Sequence, residues 1–210
     1  MKKIAVFASG GGSNFKSIQK NIELGNIRAQ IKLLISNNVS SGALKYAKEK
    51  KIDTFIINKT RFPNSERGED FLLEKLKMEK IDLICLAGYM KLVSKSIVKE
   101  YKDCILNIHP ALLPNFGGKG FFGMNVHEAV IDSGAKESGV TIHFVNEKYD
   151  KGQIIAQEKI IIKSDYTPEL LAREILKIEH VLYPKIIKAF CEDKLLGDND
   201  FHVTEVKIEN

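Results

Sequence analysis

The chain has 210 residues, 44% of them hydrophobic and 28% charged, with five prolines and a net charge of +5. That suffices for one large domain or a compact pair of lobes around a substantial core. It excludes a membrane span, because no apolar run approaches the roughly 18–20 residues that one needs.

The start, MKKIAVFASGGG, has two lysines and then only a short apolar run. The run enters a glycine loop, which favours a first β-strand over a signal peptide and points to a cytoplasmic protein. Cys85, Cys104 and Cys191 are odd in number and far apart, with no CxxC, so no zinc or redox site is suggested. Cys85 and Cys104 lie in apolar runs and read as buried thiols. Lysines are spread along the chain without blocks of like charge or aromatic–basic interleaving. Nucleic acid is therefore not indicated, and small anionic substrates fit the charge as well.

In chain order, residues 2–8 form a β-rich run, followed by Gly10 to Gly12. Asn14 to Leu24 carries Phe15, Ile18 and Ile22 at helical spacing and stops at Gly25. The spacing then predicts strand 29–36, helix 43–50, strand 54–57, helix 69–78, strand 81–87, helix 94–100 and strand 104–109. The second half is less regular: helix 125–133, strands 140–145 and 154–162, then a long helix from Pro168 to about Phe190. The polar tail from Gly197 contains FHVTEVKI, a candidate late strand. The alternation predicts a Rossmann-like α/β fold, a mostly parallel twisted sheet with helices on both faces in a single compact domain. Its expected division is a phosphate- or mononucleotide-binding half at 1–100, a second half at 101–190 and a tail at 191–210. In such sheets the site lies at the carboxyl ends of the strands.

Two features fall on that rim. ASGGGSNF opens the first helix, where crowded N–H groups and the helix dipole favour an anion, and Ser13 and Asn14 can also donate. A dinucleotide fingerprint would need glycine at position 15, where Phe15 stands, and an acid after strand two, where ISNN supplies Asn37 and Asn38. The Gly-Lys-Ser/Thr of a P-loop is absent. The loop therefore suggests a phosphate or mononucleotide, and equally suits a plain strand-to-helix turn.

The second feature is CILNIHPALLP, residues 104–114. Asn107 and His109 are two apart on a strand, so they share a face. Pro110 holds His109 in extended backbone. An amide that can donate to an oxyanion beside a proton-shuttling imidazole suits addition to a carbonyl, such as acyl or formyl transfer. With no serine or cysteine placed as nucleophile, a substrate amine would attack directly. Asp150, in the turn EKYDKG, is a candidate orienting carboxylate, and one beside His109 would raise that imidazole's pKa. Spacing alone does not show that they meet. The other reading has Asn107 and His109 capping the strand and Asp150 serving the turn. His127, His143, His180 and His202 lack such a setting; His143 alternates with apolar neighbours, so a site-facing role for it is secondary. No histidine and acid cluster has ligand spacing, so no metal is expected.

GGGSN, LAGYMKLVS, NIHPALLP, VTIHFV leading to YDKG, and IEHVLYP occur in that order. Together they resemble the phosphoribosylglycinamide formyltransferase family, from residue 2 to about 190. NIHPxLLP belongs to the wider formyltetrahydrofolate-using superfamily, and GGGSN narrows it. The resemblance implies transfer of the formyl group of 10-formyltetrahydrofolate to the glycine amine of glycinamide ribonucleotide in purine synthesis. It implies a catalytic set of Asn107 (oxyanion), His109 (protons) and Asp150 (tuning His109 and ordering a water). Gly12, Ser13 and Asn14 would hold the substrate phosphate, and Glu179 its ribose. Met90, Lys91, Leu92 and Val93 would line a folate pocket shared with Asn107, with Arg67 near the folate, and residues 101–190 would be the catalytic and folate-binding half. The expected partners are these two small molecules, for a monomer or weak homodimer without nucleic acid or membrane. Lys91 stands where arginine is common, GGKGFFGMN (117–125) replaces a more usual proline–glycine stretch, and Lys151-Gly152-Gln153 lacks the proline often found after Asp150. Formyltetrahydrofolate deformylase, methionyl-tRNA formyltransferase and a non-catalytic mononucleotide-binding module are the alternatives. The first two carry an added domain, while this chain ends about 20 residues after its last helix.

Overall fold

The computed structural model describes residues 1–195. The FHVTEVKI segment lies outside the described residues. The chain divides into two compact units, Met1–Asn107 and Ile108–Asn210.

The first unit is wound as the alternation predicts. Its strands are β1 (Lys2–Phe7), β2 (Ala29–Ser36), β3 (Asp53–Ile56), β4 (Leu83–Leu86) and the start of β5 (Ile105–His109). They hydrogen-bond in the order β3-β2-β1-β4-β5, every pair parallel. Ile4–Phe7 and Leu83–Leu86 are buried throughout, as continuous apolar strands covered on both faces should be.

The helices are α1 (Ser13–Glu23), α2 (Gly42–Glu49), α3 (Ser65–Met78) and α4 (Lys95–Glu100). Side chains of Ser41, Asn64 and Ser94 cap the last three by accepting backbone N–H bonds from Leu44, Arg67 and Ile97. The Asn64 cap is why α3 begins four residues before the expected Glu69. Cys104 lies just ahead of β5 and is half-buried rather than buried, so the reading of it as a core thiol is corrected.

The second unit holds α5 (Met124–Asp132), β6 (Glu137–Phe144), β7 (Ile154–Ile161) and α6 (Pro168–Cys191). β6 and β7 pair antiparallel, so the fold is α/β and mostly parallel. β6 begins three residues before the expected Val140. Gly139 makes this possible, since a Cβ there would stand 2.1 Å from the Glu158 carbonyl oxygen on β7. Thr167 caps α6 and Pro168 occupies its first turn, where a missing N–H costs nothing. The buried stripe Leu171, Ile175, Leu182, Ile186 of α6 packs the unit's core with Val140 and Ile142 of β6.

Candidate active site

The glycine loop leaves β1 at the carboxyl rim of the first unit's sheet. Gly12 caps α1 with φ of 75°, a left-handed conformation that glycine adopts without strain, and among the described residues no side chain caps this helix. A Cβ on Gly12 would stand 2.9 Å from the Ala43 Cβ of α2, whereas a Cβ on Gly10 or Gly11 would meet nothing within 4 Å. The loop is thus packed on one side and open on the other. Ser9 braces it: its hydroxyl bonds to the Asn37 side chain and accepts the Met90 N–H at 3.0 Å, while its carbonyl accepts the Asn38 amide at 3.1 Å. The two asparagines that stand where a dinucleotide site would want an acid are therefore struts between neighbouring loops.

Met90 to Val93 follow β4 on the same rim. Met90 and Leu92 are about half exposed (46% and 45%) and Val93 is buried, so two apolar side chains face open space on a fixed base. Arg67 lies in the first turn of α3, its guanidinium 5.8 Å from the centre of the Phe71 ring. Asn107 is half-buried on β5, in register with Leu86 of β4.

The second unit gathers His109 and Asp150. His109, 4% exposed, places Nε2 2.8 Å from the Phe116 carbonyl oxygen. A carbonyl only accepts, so Nε2 carries a proton, and Nδ1 is left as the nitrogen that can exchange one. Nδ1 is 3.8 Å from Asp150 Oδ2. The Gly118 N–H donates to that same Oδ2 at 2.8 Å. Gly117 allows the approach, because a Cβ there would come within 2.4 Å of the Leu113 side chain and 3.2 Å of Asp150 Cβ. On the other side of the carboxylate, His143 Nε2 lies 3.6 Å from Oδ1.

Burial pushes the His109 pKa below its ordinary value, outweighing the upward pull of Asp150 and of the Phe116 carbonyl. The carboxylate pulls upward as expected, but desolvation of the buried imidazole is the larger effect, so the net shift is downward rather than upward. For Asp150, burial works upward, but the facing His143 imidazole, the hydrogen bond from the Gly118 N–H and the His109 imidazole hold its carboxyl below the usual range. The pair at rest is a neutral imidazole facing a carboxylate.

The sequence reading passed over several contributors. Thr141 Oγ1 donates to the Ala111 carbonyl at 2.6 Å and accepts the Leu113 N–H at 3.0 Å, and Gln157 donates to the Leu113 carbonyl at 2.9 Å, pinning the segment after His109. Thr141 and His143 are two apart on β6, so VTIHF already put them on one face. Phe116 and Gly118 act through backbone atoms, which no side-chain pattern announces. Glu179 is buried on α6. His127, buried on α5, has a pKa pushed down to about 4 by burial and by His109. Among the described residues, no group of three or more His, Cys, Asp or Glu is arranged to hold a metal ion.

Residues 2–187 match the formyl transferase family. A chloroplastic phosphoribosylglycinamide formyltransferase of Arabidopsis thaliana is 44% identical over 200 residues, covering 95% of this chain and 68% of that protein. The phosphoribosylglycinamide formyltransferase of Bacillus subtilis is 37% identical, covering 95% and 97%. The crystal structure of glycinamide ribonucleotide transformylase 1 from Symbiobacterium toebii superposes with a TM-score of 0.87 at 33% identity, covering 95% of this chain and 92% of that one.

Proposed function

The chain belongs to the formyl transferase family and, within it, to the phosphoribosylglycinamide formyltransferases, and we propose that Asn107, His109 and Asp150 carry its chemistry. It is an enzyme of purine biosynthesis that transfers a formyl group from a formyl-tetrahydrofolate co-substrate. The donor we assign is the 10-formyl isomer, and the acceptor is the glycine amine of glycinamide ribonucleotide.

The amine attacks the formyl carbon, forming a C–N bond and an oxyanion. The Asn107 amide donates to that oxyanion. The bond from the formyl carbon to N10 then breaks, and the amine's proton passes by way of His109 Nδ1 to N10, giving formylated product and tetrahydrofolate. Asp150 stabilises the imidazolium while it exists and holds a water for the transfer. Gly12, Ser13 and Asn14 take the phosphate at the open side of the glycine loop, Glu179 the ribose, and Arg67, Met90, Lys91, Leu92 and Val93 the folate. Residues 1–100 thus form the phosphate- or mononucleotide-binding half, and residues 101–190 the catalytic and folate-binding half, with the folate also meeting Arg67 and residues 90–93 of the first. Proton transfer is assigned to side chains without a metal, in a cytoplasmic monomer or weak homodimer that binds neither nucleic acid nor membrane. Among the described residues no helix is long and apolar enough to cross a bilayer.

The observation that carries this mechanism is the commitment of His109 Nε2 to Phe116, which leaves Nδ1 facing Asp150. The test incubates the protein with 10-formyltetrahydrofolate, with and without glycinamide ribonucleotide. Formylated nucleotide only when the acceptor is present is the expected result. Formate released without it would instead mark a hydrolase.

A further inference from the structure

His143 sits at the end of β6, 2% exposed. The β6–β7 register slips between Ile142 and His143, so that Ile142 opposes Ala156 and His143 opposes Ile154. The extra residue, Ile155, lies on β7, so it is that strand that bends opposite His143. The ring is then pinned. Nδ1 lies 2.8 Å from the Phe144 carbonyl oxygen and Nε2 faces Asp150 Oδ1 at 3.6 Å; both oxygens only accept, so the ring serves the two by donating from both nitrogens. Position 152 must be glycine for this: a Cβ there would stand 1.6 Å from the Phe144 oxygen and 3.3 Å from His143 Nδ1. Gly152 replaces no chemistry; it leaves room for the ring and for the carbonyl that orients it.

We infer that His143 is a positioning residue for the transfer reaction, anchoring Asp150 Oδ1 so that Oδ2 stays aimed at His109 Nδ1. Asp150 needs such an anchor because it sits in a turn with φ of 50°, outside regular structure. Its two oxygens are shared out: Oδ2 goes to the Gly118 N–H and His109, and Oδ1 to His143. At 3.6 Å the second contact is longer than a formed hydrogen bond and of the kind that tightens when substrates exclude water. The inference rests on the reading of His109 and Asp150 as the proton-transfer pair.

The test exploits two amide replacements. In His143→Gln the amide nitrogen occupies the position of Nε2 and keeps the donor toward Asp150. In His143→Asn it occupies the position of Nδ1 and keeps only the bond to Phe144. We expect Gln to retain kcat within about threefold and Asn to lose about 10- to 100-fold, the usual scale of a misplaced catalytic group, with KM values within about twofold. The acid limb of kcat/KM should also move to higher pH in the Asn variant. His109 is faced by Asp150, His143, His127 and the Phe116 carbonyl, and Asp150 by His109, His143 and the Gly118 N–H. Losing His143 removes a neighbour that disfavours protonated His109 and one that favours ionised Asp150.

Equal kcat in the two variants at matched melting temperatures, or a change in KM alone, overturns the inference. Should neither variant fold, ¹⁵N shifts of the His143 ring in the unaltered protein decide it, and an unprotonated Nε2 overturns it. His109→Ala distinguishes the two levels: normal turnover there defeats the parent reading, whereas equality of Gln and Asn defeats only this one.

Discussion

The glycine loop in the first unit and the His109–Asp150 cluster in the second are built by opposite means. The loop is a shape made by backbone: a left-handed Gly12 packed against Ala43, with open space over Gly10 and Gly11. The cluster is made of side chains, each aimed by a backbone atom of another segment, Phe116 for His109 and Gly118 for Asp150. The first should tolerate loss of side chains and fail when one is added. The second should tolerate changes around it and fail when a named side chain is removed.

The sharpest break is at the cluster. His109→Ala and Asp150→Asn should each lower kcat by about 10²–10⁴-fold, the range of general acid–base catalysis, with urea midpoints near those of the unaltered protein. Near-normal turnover in either would remove that residue from the mechanism. The sign with pH follows from burial. The active His109 is neutral, so kcat/KM should rise as pH climbs through a pKa below the ordinary value of about 6.5. Asp150 pulls that pKa upward, so Asp150→Asn should move the acid limb to still lower pH while the plateau drops. A limb that moves upward in this variant would mean that Asp150 does not act on His109 by its charge.

The loop offers the contrasting test within one motif. Gly12→Ala adds a Cβ at a positive φ and against Ala43. It should cost about 1–3 kcal/mol, read as a lower urea midpoint. Gly11→Ala adds the same methyl where nothing lies within 4 Å, so stability should stay within about 0.5 kcal/mol. There the proposed phosphate site predicts a raised KM for glycinamide ribonucleotide with the folate KM unchanged, since the methyl would intrude on the phosphate's approach. Identical stability in both variants would show that the loop is not held by Gly12.

These contrasts also explain what could be read in advance. The strand–helix alternation of the first unit is written in apolar periodicity and caps, so its elements appear within a few residues of their observed bounds. Asn107 and His109 were legible because their spacing is local. Asp150 was legible only as a turn acid, because a 41-residue separation carries no periodicity. The segment 117–125 marked the chain's departure from its relatives, yet Gly117 and Gly118 turn out to admit and hold Asp150. A glycine's silence in a hydrophobicity pattern hid that. The net direction of the His109 pKa was not legible for a related reason: sequence shows a partner's charge but not the depth of burial that outweighs it.

The smallest expected effect concerns His127, an imidazole near this cluster to which the mechanism gives no part. It is buried, its Nδ1 has no hydrogen-bond partner among the described residues, and its pKa is pushed down to about 4 by desolvation and by His109. The unfolded chain binds its proton at about 6.5. Between those values the unfolded state holds more protons than the folded one, so stability rises with pH there and is lost as pH falls from about 6.5 toward 4. One proton bound only by the unfolded chain shifts the folding equilibrium by at most about tenfold per pH unit. His109, lowered in the same direction, adds to the slope. His127→Leu removes the titrating group and the bare buried nitrogen together. Its urea midpoint at pH 7.5 should match or exceed that of the unaltered protein, and the gap should widen by pH 5. Parallel pH profiles for the two proteins would show that the acid sensitivity lies elsewhere, leaving His109 as the group to test next with Asp150 intact.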